Sequence, residues 1–121
     1  MIRDYIAVDV ETTGLNPARD RLLEIGAARI LNGKVEATYQ TFIDAGVEVP
    51  ERITELTGIT DEMRLSGKRP EQAIPEFLEF CKGSVMVAHN AGFVAEGFTK
   101  CHSEHDTDIL GSVVTVNVKV A

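Results

Sequence analysis

The sequence predicts a single α/β domain in which a mixed β-sheet is covered by helices. Three observations lead to it. Residues 5 to 43 alternate apolar and polar positions around one Asn-Gly pair. Residues 50 to 83 change to helical spacing, punctuated by proline and glycine. The runs at 84–90 and 112–120 return to strand character. The resulting order is strand-strand-strand-helix-strand-helix-strand. This is not the regular alternation of a dinucleotide-binding fold, and no GxGxxG follows a strand.

The first strand is expected over residues 5 to 10. Period-two geometry turns Ile6, Val8 and Val10 to one side and Tyr5, Ala7, Asp9 and Glu11 to the other. Gly14, Asn16 and Pro17 in "TTGLNPARD" then break the strand. "RLLEIGAARILNGKVEATYQTFIDAG" reads as a hairpin, because Asn32-Gly33 tolerates the positive φ angles of a tight turn. Val35, Ala37, Tyr39, Thr41 and Ile43 are expected to share one face, so the chain opens as a three-stranded antiparallel meander.

"PERITELTG" places Pro50 at a helix start and Gly58 at its end. "ITDEMRLSG" offers Thr60 as an N-cap and stops near Gly67. In "PEQAIPEFLEFCKG", Ala73, Phe77 and Cys81 recur every four residues with Ile74 and Leu78 beside them, predicting an amphipathic helix that closes at Gly83. Pro75 fits if that helix begins only just before it. "SVMVAHN" reads as a buried strand with an exposed tip. Glycines weaken any helix in "AGFVAEGFTKCHSEHDTD". "SVVTVNVKV" puts Val114, Val116, Val118 and Val120 on one face of a half-exposed edge strand. Phe77 and Met86 belong to the core, and Cys81 is expected to be a small buried hydrophobe.

The 121 residues suit one domain, 1–121, and the composition of 44% hydrophobic and 26% charged residues supports a packed core. A net charge of −7 argues against a broad basic face that grips nucleic acid. Cys81 and Cys101 form neither a disulfide framework nor a metal-spaced cluster. The N-terminus lacks a signal peptide's apolar stretch, and no run is long enough to cross a bilayer. The expectation is a cytoplasmic protein with no membrane partner.

The chemistry concentrates at Asp9 and Glu11. On one strand face they lie roughly 6–7 Å apart. Two carboxylates at a strand end repel each other unless a cation lies between them, and hard divalent ions such as Mg²⁺ or Mn²⁺ prefer oxygen ligands. Paired ions about 3.5–4 Å apart can activate water and stabilise the leaving oxygen in phosphodiester cleavage. An acidic chain can therefore still hold a polyanion. The bland alternative is a strand end whose charges are merely solvated. Against it stand the apolar run before the pair and the Thr-Thr-Gly turn after it, where backbone N–H groups can meet an anion.

"VDVETTGL" resembles the first motif of the DEDD-type (DnaQ-like) 3′–5′ exonucleases, the family of the proofreading epsilon subunit and of the PolC exonuclease domain of bacterial DNA polymerase III. The likeness continues in family order through "LLEIGAARI", "VPERITELTGITDEM", "PEFLEF" and "VAHNAGF". It implies an RNase H-like fold, two divalent ions (Mg²⁺ or Mn²⁺) and removal of nucleotides from a single-stranded 3′ end of nucleic acid, with DNA and proofreading or repair as the expected setting. It also implies a DNA polymerase partner. By the same resemblance, Asp9 and Glu11 are the catalytic metal ligands. Thr12, Thr13 and Gly14 touch the terminal nucleotide, Leu56 in "LTGIT" lies beside its base, and His89, Asn90 and Phe93 line the site. His89 and Asn90 could equally cap a strand, a phenylalanine at 93 is more often core than a base-stacking platform, and Glu24 is expected to be a structural or supporting carboxylate rather than a ligand.

The family pattern has an aspartate after H-N-A-x-F and a later His-x4-Asp on a helix. Here Val94 follows "HNAGF", and neither His102 nor His105 has an aspartate five residues on. If the stretch is helical, Glu96 points about 200° away from the position needed. Residues 1–93 therefore carry the likeness, and 94–121 form a divergent tail on a fold expected to be truncated at its C-terminal side. With two carboxylates and no base, cleavage is expected to be weak or absent. The alternative function is a non-catalytic nucleic-acid- or polymerase-binding module. The C-terminal strand, as an open edge, invites a homodimer.

Overall fold

Strand β1 (Tyr5–Thr12) is held from both sides over Ile6–Val8 by segments far apart in sequence, and its two carboxylates follow just beyond that stretch, paired on one side only. The structure, a computed structural model, describes residues 3–14, 16 and 19–88 and the backbone of 113–115. On one side β1 pairs antiparallel with β2 (Leu22–Leu31), which pairs antiparallel with β3 (Lys34–Phe42). On the other side it pairs in parallel with β4 (Met86–Ala88), and β4 with β5 (Val113–Thr115). The order β3-β2-β1-β4-β5 gives the mixed sheet of the RNase H-like fold, with the expected meander at its start. Of the C-terminal strand expected over 112–120, only Val113–Thr115 lies within the described residues, at the sheet's outer position.

The β2–β3 hairpin turns at Asn32 (φ 52°) and Gly33 (φ 77°), the consecutive left-handed pair that the Asn-Gly signal calls for. Two register shifts interrupt the meander. Between Arg29↔Ala37 and Ile30↔Val35, Glu36 is the extra residue. It reverses the side on which Val35 lies, so Val35 does not share the face of Ala37, Tyr39 and Thr41; it pairs with Ile30 and stands 63% exposed. The second shift falls between Glu11↔Glu24 and Thr12↔Leu22, where Leu23 is the extra residue. Adjacent leucines thereby serve different cores: Leu22 joins the main one and Leu23 a second one.

The main core lies under α3 (Pro70–Cys81). Ala73, Ile74, Phe77, Leu78 and Cys81 pack against Ile6, Val8, Ile25, Ala27 and Met86. Full burial of side chains such as Ile6 or Phe77 stabilises the fold by roughly 1.5–3 kcal/mol each. Burial also pushes the Cys81 thiol up to about 12, consistent with an inert hydrophobe. The helix starts at Pro70, more than a turn ahead of Pro75, rather than just before it. Pro75 faces solvent, where the Glu71 carbonyl left without an N–H donor can meet water.

The second core holds two short helices on the opposite side. Leu23, Val49, Ile53 and Ile59 enclose it, with Phe42 and Met63 against them. Helix α1 (Glu51–Thr57) ends at Gly58 in the left-handed conformation, φ 81°. Helix α2 (Asp61–Leu65) begins at Thr60, whose hydroxyl accepts the Met63 N–H at 3.2 Å. Phe42 pairs with Glu24, and Glu24 with Glu11, so this core borders the acidic side of the sheet. None of the described helices is long and apolar enough to cross a membrane.

Candidate active site

Alternation along β1 sends Ile6 and Val8 into the main core and leaves Asp9 exposed and Glu11 half-buried on the other side. Opposite them in β2 are Gly26 and Glu24. A hollow of about 410 Å³ beside Asp9 is lined by Ala7, Val8, Gly26, Ala27, Ala28 and Tyr39. Among the described residues no lysine or arginine forms an ion pair with Asp9 or Glu11. Burial, and then the charges of Asp9 and Glu24, raise the Glu11 carboxyl above its ordinary 4.5. Glu24 Oε2 accepts a hydrogen bond from the Gln40 side-chain amide at 2.8 Å.

The loop after β1 is built by Asp20. Thr13 Oγ1 donates to Asp20 Oδ1 at 2.9 Å and accepts the Arg21 N–H at 3.0 Å. The Asn16 amide donates to Asp20 Oδ2 at 2.9 Å. Thr13 is only 8% exposed and its hydroxyl is engaged within the loop, so it shapes the turn. Thr12 Oγ1 donates to the Gly14 carbonyl at 2.6 Å. Gly14 is needed sterically: a Cβ there would lie 2.5 Å from Asp20 Oδ2. The Asn16 amide, helped by the Thr13 hydroxyl and by Arg19 and Arg52, holds the Asp20 carboxyl below its ordinary 3.8 despite some burial.

On the helical side, Leu56 is 80% exposed on α1, a large aliphatic side chain that neither core uses. Asp9, Glu11 and the Thr12–Gly14 turn are thus continuous along one strand end. Leu56 belongs to the helix that the second core fastens to that side. His89, Asn90 and Phe93 lie outside the described residues, as do Val94 and Glu96.

Comparison with known proteins decides the family. The Exonuclease family (RNase_T) matches residues 6–104. This chain belongs to that exonuclease family. It is 43% identical over 90 residues to the PolC-type DNA polymerase III of Caldanaerobacter subterraneus subsp. tengcongensis, covering 74% of this chain and 6% of the relative. With the PolC-type enzyme of Clostridium perfringens it shares 41% over 97 residues, 80% of this chain and 7% of that one. The chain therefore spans less than a tenth of these relatives. Among solved structures, E. coli Exonuclease I in complex with a dT13 oligonucleotide superposes with a TM-score of 0.69 at 19% identity, covering 83% of this chain and 23% of the other. Exonuclease I of Methylocaldum szegediense gives 0.71 at 16% identity, covering 98% and 28%. At such identities the structures speak for the fold.

For an exonuclease domain, the donor set at β1 fits a hard cation in part. Asp9 and Glu11 offer carboxylate oxygens without a competing cation, yet among the described residues no group of three metal-ligating side chains comes together. Sequence reasoning missed the role of Asp20. Its signal was modest: a lone aspartate ahead of "RLLEIG" that binds back to a threonine seven residues earlier.

Proposed function

We propose that this exonuclease domain acts on the 3′ end of a single nucleic-acid strand, DNA in replication or repair, with Mg²⁺ or Mn²⁺ held by Asp9 and Glu11. The observation that carries the reading is the pair itself: two carboxylates on one strand face, without an ion pair among the described residues, with Glu11 raised by burial and then by its acidic neighbours. Divalent ions bound there would activate water and neutralise charge on the scissile phosphodiester. Asp9 and Glu11 fix the ion's place. The Thr12–Gly14 turn, kept in shape by Asp20, meets the terminal nucleotide, and Leu56 packs beside its base. His89, Asn90 and Phe93 complete the site by family likeness. A polymerase is the natural partner, given the PolC-type relatives.

Cleavage by this chain is slow in the proposal, because Val94 stands where the family places a metal-binding aspartate. That same position favours a second reading, a strand-binding module without hydrolysis. One assay separates them: a 5′-labelled single strand with Mg²⁺ or Mn²⁺. Stepwise shortening from the 3′ end, lost in Asp9→Ala, supports the exonuclease. Binding without shortening supports the module. Shortening from the 5′ end, or cleavage indifferent to Asp9→Ala, refutes the site. The outer position of β5 also suits pairing with a second copy, and a strict monomer in light scattering at high concentration removes that idea.

A further inference from the structure

We propose that Arg19, Arg21 and Arg52 form a binding site for the phosphodiester backbone of the strand upstream of its terminal nucleotide. The proposal rests on the exonuclease reading above. The three arginines line a hollow of about 350 Å³ whose wall includes Thr13 of the turn after β1. They come from separate segments: two flank Asp20 in the loop and the third lies on α1. All three are exposed, and among the described residues none of them is in an ion pair. Among the described residues the Arg21 guanidinium donates to the Arg19 carbonyl alone, from Nη1 at 3.2 Å, which leaves most of its fork unused there.

Two acidic residues share the wall, and they differ. Asp20 is committed to Thr13 and Asn16, which fixes the loop. Glu48 is exposed on the opposite segment with no partner among the described residues. In a chain of net charge −7, a hollow where arginines outnumber acids is unusual. Such a chain repels a polyanion at long range, so binding needs local cationic contacts. Guanidinium forks match phosphate oxygens in two-point geometry. The hollow shares Thr13 with the turn that follows Glu11 directly, so a strand ending at the acidic pair would pass it with the next phosphates.

The test is fluorescence anisotropy of the full 121-residue chain with a labelled single-stranded oligonucleotide in EDTA, repeated across salt concentrations. Each of Arg19→Ala, Arg21→Ala and Arg52→Ala should weaken binding and flatten the plot of log affinity against log salt by about 0.7. Glu48→Gln should tighten it, and Arg52→Lys should keep the salt slope better than Arg52→Ala. A dinucleotide, too short to reach, should be indifferent to the arginines. An unchanged salt slope in a triple alanine variant with wild-type circular dichroism overturns the site, whether or not the chain cleaves. Arginine-dependent binding without metal-dependent cleavage upholds the site while the hydrolytic reading falls. Equal, arginine-dependent binding of a charge-matched acidic peptide would mean a protein-docking surface and overturns the proposal, as would a wild-type chain that binds no strand.

Discussion

The molecule treats charge in opposite ways at two places. At Arg64, which is only 7% exposed, the charge is met by two carboxylates: Nη1 meets Asp44 Oδ1 at 2.6 Å and Nε meets Asp61 Oδ1 at 3.1 Å. The aspartates are themselves tied to backbone, Asp44 by the Gly46 N–H and Asp61 by the Val49 N–H. At the end of β1, Asp9, Glu11 and Glu24 share a side, and Gln40 is the donor there, to Glu24. The first arrangement neutralises charge to fasten loop 44–49 to α2. The second leaves like charges together, which costs stability and makes sense where an external cation completes the set. Charge is satisfied internally at Arg64, whereas at β1 it is left for the cation of the proposed site.

Substitutions can break that contrast. The largest effect is expected at the open site: Asp9→Asn with Glu11→Gln should abolish Mn²⁺ binding in titration calorimetry while the melting temperature holds or rises. A fall in melting temperature would mean that the carboxylates are structural. Arg64→Met should do the reverse, lowering the melting temperature by several degrees or more because two aspartates lose their shared partner, with Mn²⁺ binding per folded molecule unchanged.

Acid sharpens the contrast, since the groups titrate with opposite signs. The Gly46 amide and Arg64 hold Asp44 below its ordinary 3.8, and the Val49 amide and Arg64 do the same for Asp61. Their stabilisation is present above that pH and is lost as pH falls through the lowered values. Glu11 is raised above 4.5, so its contribution is complete below 4.5 and is lost as pH rises through the raised value. Melting curves taken from neutral pH downward should show a slight gain first and a loss only below 3.8. Glu11→Gln should remove the gain, and Arg64→Met should blunt the loss. The smallest structural effect belongs to Leu56→Ser. At 80% exposure it should leave the melting temperature unchanged, yet weaken oligonucleotide binding severalfold if the side chain rests on a base.

Local signals in the sequence carried most of this architecture. Asn32-Gly33, Thr60 and Gly58 declare their turn and caps because the reason is steric or a single hydrogen bond. The alternation from Ile6 to Glu11 likewise shows which side the acids take. What stayed hidden depends on partners. The bulges at Leu23 and Glu36 exist only relative to a neighbouring strand, so the side of Val35 was not readable from its own alternation. The Arg64 knot joins 44, 61 and 64, and the arginine hollow joins 19, 21 and 52; neither leaves a periodic trace.

The parallel pairing of Ile6 with Met86 has a consequence for synthesis on the ribosome. The meander and both short helices emerge early, but one margin of β1 stays bare until Met86–Ala88 leaves the exit tunnel. During that interval the nascent chain carries an unprotected hydrogen-bonding ladder beside Asp9. Asp9, next along the strand after the residues that await β4, would discourage sticking between neighbouring polysomal copies.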